Sequence, residues 1–312
     1  MPDLEGEYML ITTKGQITEN FHVVGFEGFP VFLLQGKKPI LFEGGIACIA
    51  DLYIKELRAL LGDQEPEYLF LTHAHWDHCG GVAALKKEYP SMKIAASEIA
   101  AGILKKQSAI DMITQLNIEG RDNIANAGEL SPADLTDVPF EAFDIDVFVH
   151  DGDRIDVGGI IVEVYATPGH TRDHTSYYMP AQKILVAGEV GGCLDSPQGD
   201  ILVEFVSGYE PYLESQRRVA ELPVDFYCQG HRIFLSGNEE VKKFINNSIG
   251  KTLEFKDRIF ELLDETGNDF ESVVMQIKKE CFDWQPMPKQ LEGPYLINLR
   301  AQVKHLIALK EK

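Results

Sequence analysis

The stretch Thr72-His73-Ala74-His75-Trp76-Asp77-His78-Cys79-Gly80-Gly81 constrains this chain more than any other. It follows the apolar, β-rich run Tyr68-Leu69-Phe70-Leu71, which reads as a short buried strand. Two glycines and the helix-forming Val82-Ala83-Ala84-Leu85-Lys86-Lys87-Glu88 come next, so the cluster sits where a strand hands over to a helix. In extended backbone, side chains alternate sides. His73 and His75 can therefore grip one cation, while the consecutive Asp77 and His78 diverge and suit a neighbouring second cation. Imidazole and carboxylate are the ligands that borderline divalent metals prefer. A single histidine here would read as a satisfied polar loop residue; four ligand-type residues at this spacing read as a metal centre.

The pattern H-x-H-x-D-H, formed by His73, His75, Asp77 and His78, resembles the signature of the metallo-β-lactamase-fold hydrolases, a superfamily that includes glyoxalase II, lactonases, other thioesterases and nucleases. The resemblance implies an α/β fold, an αββα sandwich of that type, with further ligands on distant loops. Thr167-Pro168-Gly169-His170-Thr171 is similar to the place where the family supplies the third ligand of its first metal, and Gln229-Gly230-His231 to the place of the last ligand of the second. The strand Lys183–Gly188 ends in Glu189, where the family has an aspartate bridging the metals. The strand before Gly44 ends in Glu43, where the family has an aspartate that orients ligands. Both are departures, and each lengthens the acid. The implied set is His73, His75 and His170 on one ion, Asp77, His78 and His231 on the other, and Glu189 between them. Glu43 and His174 would stand beside the ligands.

The chain has 312 residues and a formal net charge of −20. A surface this acidic argues against nucleic acid or an anionic membrane as partner, because phosphate binding needs clustered Lys and Arg. There is no apolar run long enough for a membrane-spanning helix. The acidic start Met1-Pro2-Asp3-Leu4-Glu5-Gly6-Glu7 lacks the apolar core of a secretory signal. Cys48, Cys79, Cys193, Cys228 and Cys281 are widely spaced and contain no C-x-x-C, so neither a disulfide framework nor a structural zinc site is expected. Cys79 and Cys193 flank ligand positions but read as buried, inert thiols. A cytoplasmic protein is the expectation.

Short β-rich runs at Tyr8–Thr12, Phe21–Phe26 and Val31–Leu34 suit an antiparallel meander, followed by a strand at 39–42 and a helix over Ile49–Leu61 closed by Gly62. Met92–Ala96 continues the strand–helix alternation, and Ser97 caps the next helix. A broken helical pattern runs to about Asn117; residues 101–145, acidic and loop-like from 119, read as an insertion near the site. Val147–Val149 and Ile160–Tyr165 are strands, Glu210–Leu222 is a helix, and Val224–Cys228 is the last strand. Arg172 and Asp173 read as surface residues. Three helices close the chain, over 239–264, 270–280 and 295–310. The division is thus a catalytic domain over 1–237 and a helical extension over 238–312 that can wall the pocket or make a homodimer contact.

Two divalent ions lower the pKa of a shared water from 15.7 toward about 7 and polarise the scissile bond. The expected activity is hydrolysis of an ester, thioester or lactone-type small molecule by a bridging hydroxide, with Asp77 as the catalytic group. Zinc is the default metal, with iron or manganese as alternatives. An iron-dependent oxidoreductase on the same scaffold and a catalytically weak binding or regulatory protein are the other readings. A nuclease is disfavoured by charge.

Overall fold

The computed structural model describes residues 10–11 and 14–311. The chain forms two compact units. One holds Thr167–Arg172, everything from Gln182 onward and the short strand β1 (Leu10–Ile11); the other holds Thr13–Ala166 and Asp173–Ala181.

In the second of these, β2 (Gly15–Thr18), β3 (Phe21–Phe26), β4 (Phe29–Leu34) and β5 (Ile40–Phe42) form an antiparallel meander. From β5 the sheet turns parallel, adding β6 (Tyr68–Phe70), β7 (Lys93–Ser97) and β8 (Val147–Val149). Parallel neighbours need long crossovers. These are α1 (Ala50–Leu61), the pair α2 (Trp76–Cys79) and α3 (Val82–Glu88), and the pair α4 (Glu98–Leu104) and α5 (Gln107–Ala127). Each crossover starts at the end of a parallel strand, and the second is the histidine-rich stretch. The meander β9 (Arg154–Val157), β10 (Ile160–Ala166) and β11 (Thr175–Met179) completes this unit. Phe42 and Phe70 stack at 5.6 Å, Tyr177 packs on both, and its hydroxyl donates to the Leu71 carbonyl at 2.7 Å. The strand that leads into the histidine-rich stretch is thereby fixed at the residue that follows it.

The other unit pairs β12 (Ile184–Gly188) in parallel with β13 (Phe226–Gln229), across the helix α6 (Tyr209–Ala220). β13 pairs antiparallel with β14 (Phe234–Ser236), and β14 with β1. Three helices follow: α7 (Asn238–Thr266), α8 (Phe270–Cys281) and α9 (Glu292–Lys310). They form one apolar core with α6, in which Phe205, Tyr212, Ile259, Val273, Leu299 and Val303 are buried. Gly267 ends α7 in the left-handed conformation, and the Asp269 side chain caps α8 through the Ser272 N–H at 2.9 Å.

Several expectations need correction. α5 runs to Ala127, ten residues past the expected end near Asn117, so the front of the acidic segment is helix. Val224–Cys228 is not the last strand, because β14 follows β13. β2, β9 and β11 lack the apolar runs that mark a strand: β2 and β9 are half exposed and polar, and β11 opens on Thr and Ser. In the expected strand Tyr8–Thr12, Leu10 and Ile11 pair with β14; Tyr8, Met9 and Thr12 lie outside the described residues.

Candidate metal centre

β6 ends at Phe70, and the chain stays extended through His75 before α2 begins at Trp76. His73 and His78 are buried, and His75 and Asp77 are partly exposed. The ring of His73 lies 4.4 Å from that of His75 and 4.3 Å from that of His78, centroid to centroid. A polar scaffold holds this turn. Glu43, at the end of β5, is 1% exposed and takes a left-handed backbone, φ 66°. Its Oε1 accepts from the Thr72 hydroxyl at 2.5 Å and lies 3.2 Å from His78 Nδ1. The Thr72 oxygen in turn is 3.0 Å from His73 Nδ1. A carboxylate and a hydroxyl whose proton is already given away can only accept, so both Nδ1 atoms carry protons. With Nδ1 anchored in this way, Nε2 is the atom each ring would offer to a metal. Glu43 thus reaches both rings, His78 directly and His73 through Thr72.

Asp173 is a correction. It is 2% exposed rather than on the surface, and its Oδ2 accepts the Ala74 N–H at 2.8 Å, between the two histidines of the H-x-H pair. His174 beside it is buried, with its ring 5.2 Å from that of His73. On the other flank, the Asn117 amide of α5 accepts from Ala47 N at 2.9 Å and donates to the Trp76 carbonyl at 3.3 Å. A Cβ on Gly120 would stand 2.4 Å from the Trp76 ring, so only glycine lets α5 lie against the residue before Asp77.

The remaining donors follow β10, β12 and β13. β10 leads into Thr167-Pro168-Gly169-His170. Gly169, at φ 134°, would set a Cβ 2.3 Å from the Tyr212 backbone, so the close approach requires glycine. His170 is buried, and its Nδ1 donates to the Glu204 carbonyl at 2.6 Å. Glu189 follows β12 and is 3% exposed. Its oxygens lie 3.8 Å from His170 Nε2 and 3.5 Å from His231 Nε2. The Tyr212 hydroxyl donates to its carbonyl at 3.0 Å.

Three donor sets arise that could each hold an ion: His73, His75 and His170; His73, His78 and Glu189; Asp77, His78 and His231. Within each set, one ligand atom per residue lies within 4.8 Å of the others. Imidazole nitrogens together with carboxylates fit divalent metals of the zinc, iron or manganese kind. The cysteines do not compete. Cys79 and Cys193 are buried, and burial pushes both thiols well above their ordinary range, helped by nearby carboxylates.

Sequence reasoning missed Asp173, Asn117, Tyr212 and Gln229. None belongs to a motif; the one available signal was an acid, Asp173, lodged between two histidines, His170 and His174, and a β-rich run.

These donors on a mixed α/β scaffold define a candidate metal centre at strand ends. The chain belongs to the metallo-beta-lactamase superfamily, whose family model matches residues 25–231. It is 32% identical over 168 residues to a hydroxyacylglutathione hydrolase of Rhodopseudomonas palustris, covering 52% of this chain and 47% of that protein. It is 30% identical over 173 residues to glyoxylase B2 of Dictyostelium discoideum, covering 55% and 49%. The chain thus spans about half the length of the curated relatives it matches. Among solved structures it shares its fold with an archaeal metallo-beta-lactamase superfamily protein from Sulfolobus tokodaii, with a TM-score of 0.58 at 18% identity, covering 95% of this chain and 100% of that one. The family and the fold class expected from H-x-H-x-D-H both hold, with a C-terminal helical region besides.

Proposed function

We propose that this chain is a dinuclear metal-dependent hydrolase that cleaves a thioester or related ester of a small molecule. The observation that carries the reading is the trio of donor sets, in which His73 and His78 each serve twice. Similarity over half their length to hydroxyacylglutathione hydrolases supports a thioester as the bond cleaved.

In this proposal His73, His75 and His170 hold one ion, Asp77, His78 and His231 the other, and Glu189 reaches both. Two divalent ions at such a site supply a lowered pKa for water and a positive field for the carbonyl oxygen. The residues do the rest. Glu43 keeps the Nδ1 protons of His73, through Thr72, and of His78 in place, so neither ring turns its N–H toward the cations. Asp77, partly exposed, can accept the proton of an attacking water while its backbone is held by α5 through Trp76. His174 and Glu43 support without binding. Residues 1–237 make the catalytic part in this reading and 238–312 a helical extension. No helix among the described residues is long and apolar enough to cross a membrane; a cytoplasmic setting with no nucleic-acid partner belongs to the same proposal, as does zinc as the resident metal.

The test is hydrolysis of a hydroxyacyl-glutathione thioester. Turnover that is lost on chelation and restored by zinc, manganese or iron supports the reading. Metal-loaded protein that turns over neither thioesters, esters nor lactones contradicts it.

A further inference from the structure

We infer that Gln229 is the positioning residue that sets His231 against the Glu189 loop, and so builds the second of the two metal positions. Gln229 is the last residue of β13 and is fully buried, at 0% exposure. Its amide is used at both ends. The Oε1 accepts from Leu194 N at 3.2 Å, while Nε2 donates to the Leu194 carbonyl at 2.7 Å and to the His231 carbonyl at 2.6 Å. The side chain thus pairs with Leu194 as a second peptide group would, and its other N–H reaches the backbone of the last ligand.

Both partners lie in irregular backbone. Leu194 belongs to the irregular loop after β12, which opens with Glu189 and is tied back through Gly192 N to the Glu189 carbonyl at 3.0 Å. His231 sits in a tight turn: its carbonyl also accepts from Ile233 N at 2.6 Å, and the next residue, Arg232, is left-handed at φ 52°. The Gln229 amide thus links the Glu189 loop to the His231 turn by side chain, beside the backbone bond from Gly230 N to the Gly188 carbonyl at 3.2 Å. The amide acts with that bond to set the Glu189–His231 separation of 3.5 Å.

Only an amide does this. A carboxylate of the same shape would face two carbonyl oxygens with no proton to offer, and a thioether would leave the Leu194 N–H and carbonyl without the amide and the His231 carbonyl with Ile233 N alone. Glutamine at this position is thus a requirement of geometry and not a filler of the core.

This inference rests on the two-ion reading, and the test separates the two. Wild type, Gln229→Met and Gln229→Glu are stripped of metal and titrated with zinc, with cobalt absorption as a second readout. Hydrogen exchange over residues 189–194 and 229–236 is followed on the metal-free proteins. The expected result is two ions in wild type. In both variants one ion stays tight and the second is weakened roughly 10–100-fold, with faster exchange in both segments. A role confined to general stability would lower the melting temperature and leave the ratio of the two affinities unchanged, and that result overturns the inference. Wild type that binds fewer than two ions refutes the two-ion reading instead. The exchange measurement, which needs no metal, then still decides whether Gln229 holds the loop and the turn together.

Discussion

The two groups of candidate ligands are held in opposite ways. His73, His75, Asp77 and His78 lie within one turn of chain, and their supports are buried carboxylates: Glu43 through Thr72 and His78, and Asp173 through Ala74 N. His170, Glu189 and His231 come from three separate strand ends, and their supports are neutral: the Glu204 carbonyl, the Tyr212 hydroxyl and the Gln229 amide. A carboxylate beside a histidine makes the imidazole a stronger ligand and draws in positive charge, but it is costly to bury without the cation. A neutral support adds no charge and is equally satisfied with or without metal. The contiguous group is thus the one expected to depend on metal for stability, and the dispersed group the one expected to be preformed.

The largest effect falls on the contiguous group. Asp77→Ala should lower turnover roughly 10²–10⁴-fold, as expected for loss of a proton-transfer group, with an unchanged melting temperature for the metal-free protein. Retained turnover removes Asp77 from the chemistry. Next, Glu43→Ala leaves the Thr72 hydroxyl and the His78 N–H without their buried acceptor. It should weaken metal binding about 10–100-fold, and should destabilise the metal-loaded protein more than the metal-free one, where a buried carboxylate is relieved. Equal destabilisation of both forms would break the contrast between charged and neutral supports. Glu189→Gln sharpens it from the other side: occupancy should fall, read by elemental analysis, while the metal-free fold keeps its stability.

Gly120→Ala probes the flank of the contiguous loop. A methyl 2.4 Å from the Trp76 ring must displace α5 or the ring. The expected loss is about 1–3 kcal/mol, measured by denaturant unfolding. The smallest effect belongs outside both groups. Arg258 holds Glu280 below the usual carboxylate range through a hydrogen bond between α7 and α8. Because the folded value is the lower one, this contribution is present at neutral pH and is lost as pH falls through it. Both side chains are about a third exposed, so Glu280→Gln should cost at most about 1 kcal/mol at neutral pH, with the difference from wild type vanishing in acid.

The same contrast explains what could be read from sequence. The contiguous ligands are legible because spacing within one strand–turn–helix fixes which side chains converge. The third and last histidines are legible only through Pro-Gly-His and Gly-His at strand ends. Their supports are not, because an acid such as Asp173 or an amide such as Gln229 takes its meaning from a backbone group that is distant in sequence. Ala74 lies far from Asp173 along the chain, and Leu194 far from Gln229. The two acids that depart from the family pattern, Glu43 and Glu189, could be picked out by position, yet only the structure shows the left-handed backbone at Glu43 and the contacts of its longer arm. The helical path of α5 past Asn117 was hidden by Gly120 within it and by the acidic, Pro-containing stretch that follows; its own acids there, Glu119 and Asp122, face solvent.

Metal content per chain tests the central claim most directly. Protein purified without chelators, or stripped and reloaded, is measured by elemental analysis beside Asp77→Ala and His231→Ala. Two ions in the parent and one in each variant are predicted. A parent that holds less than one ion, with no gain on reloading, contradicts the account.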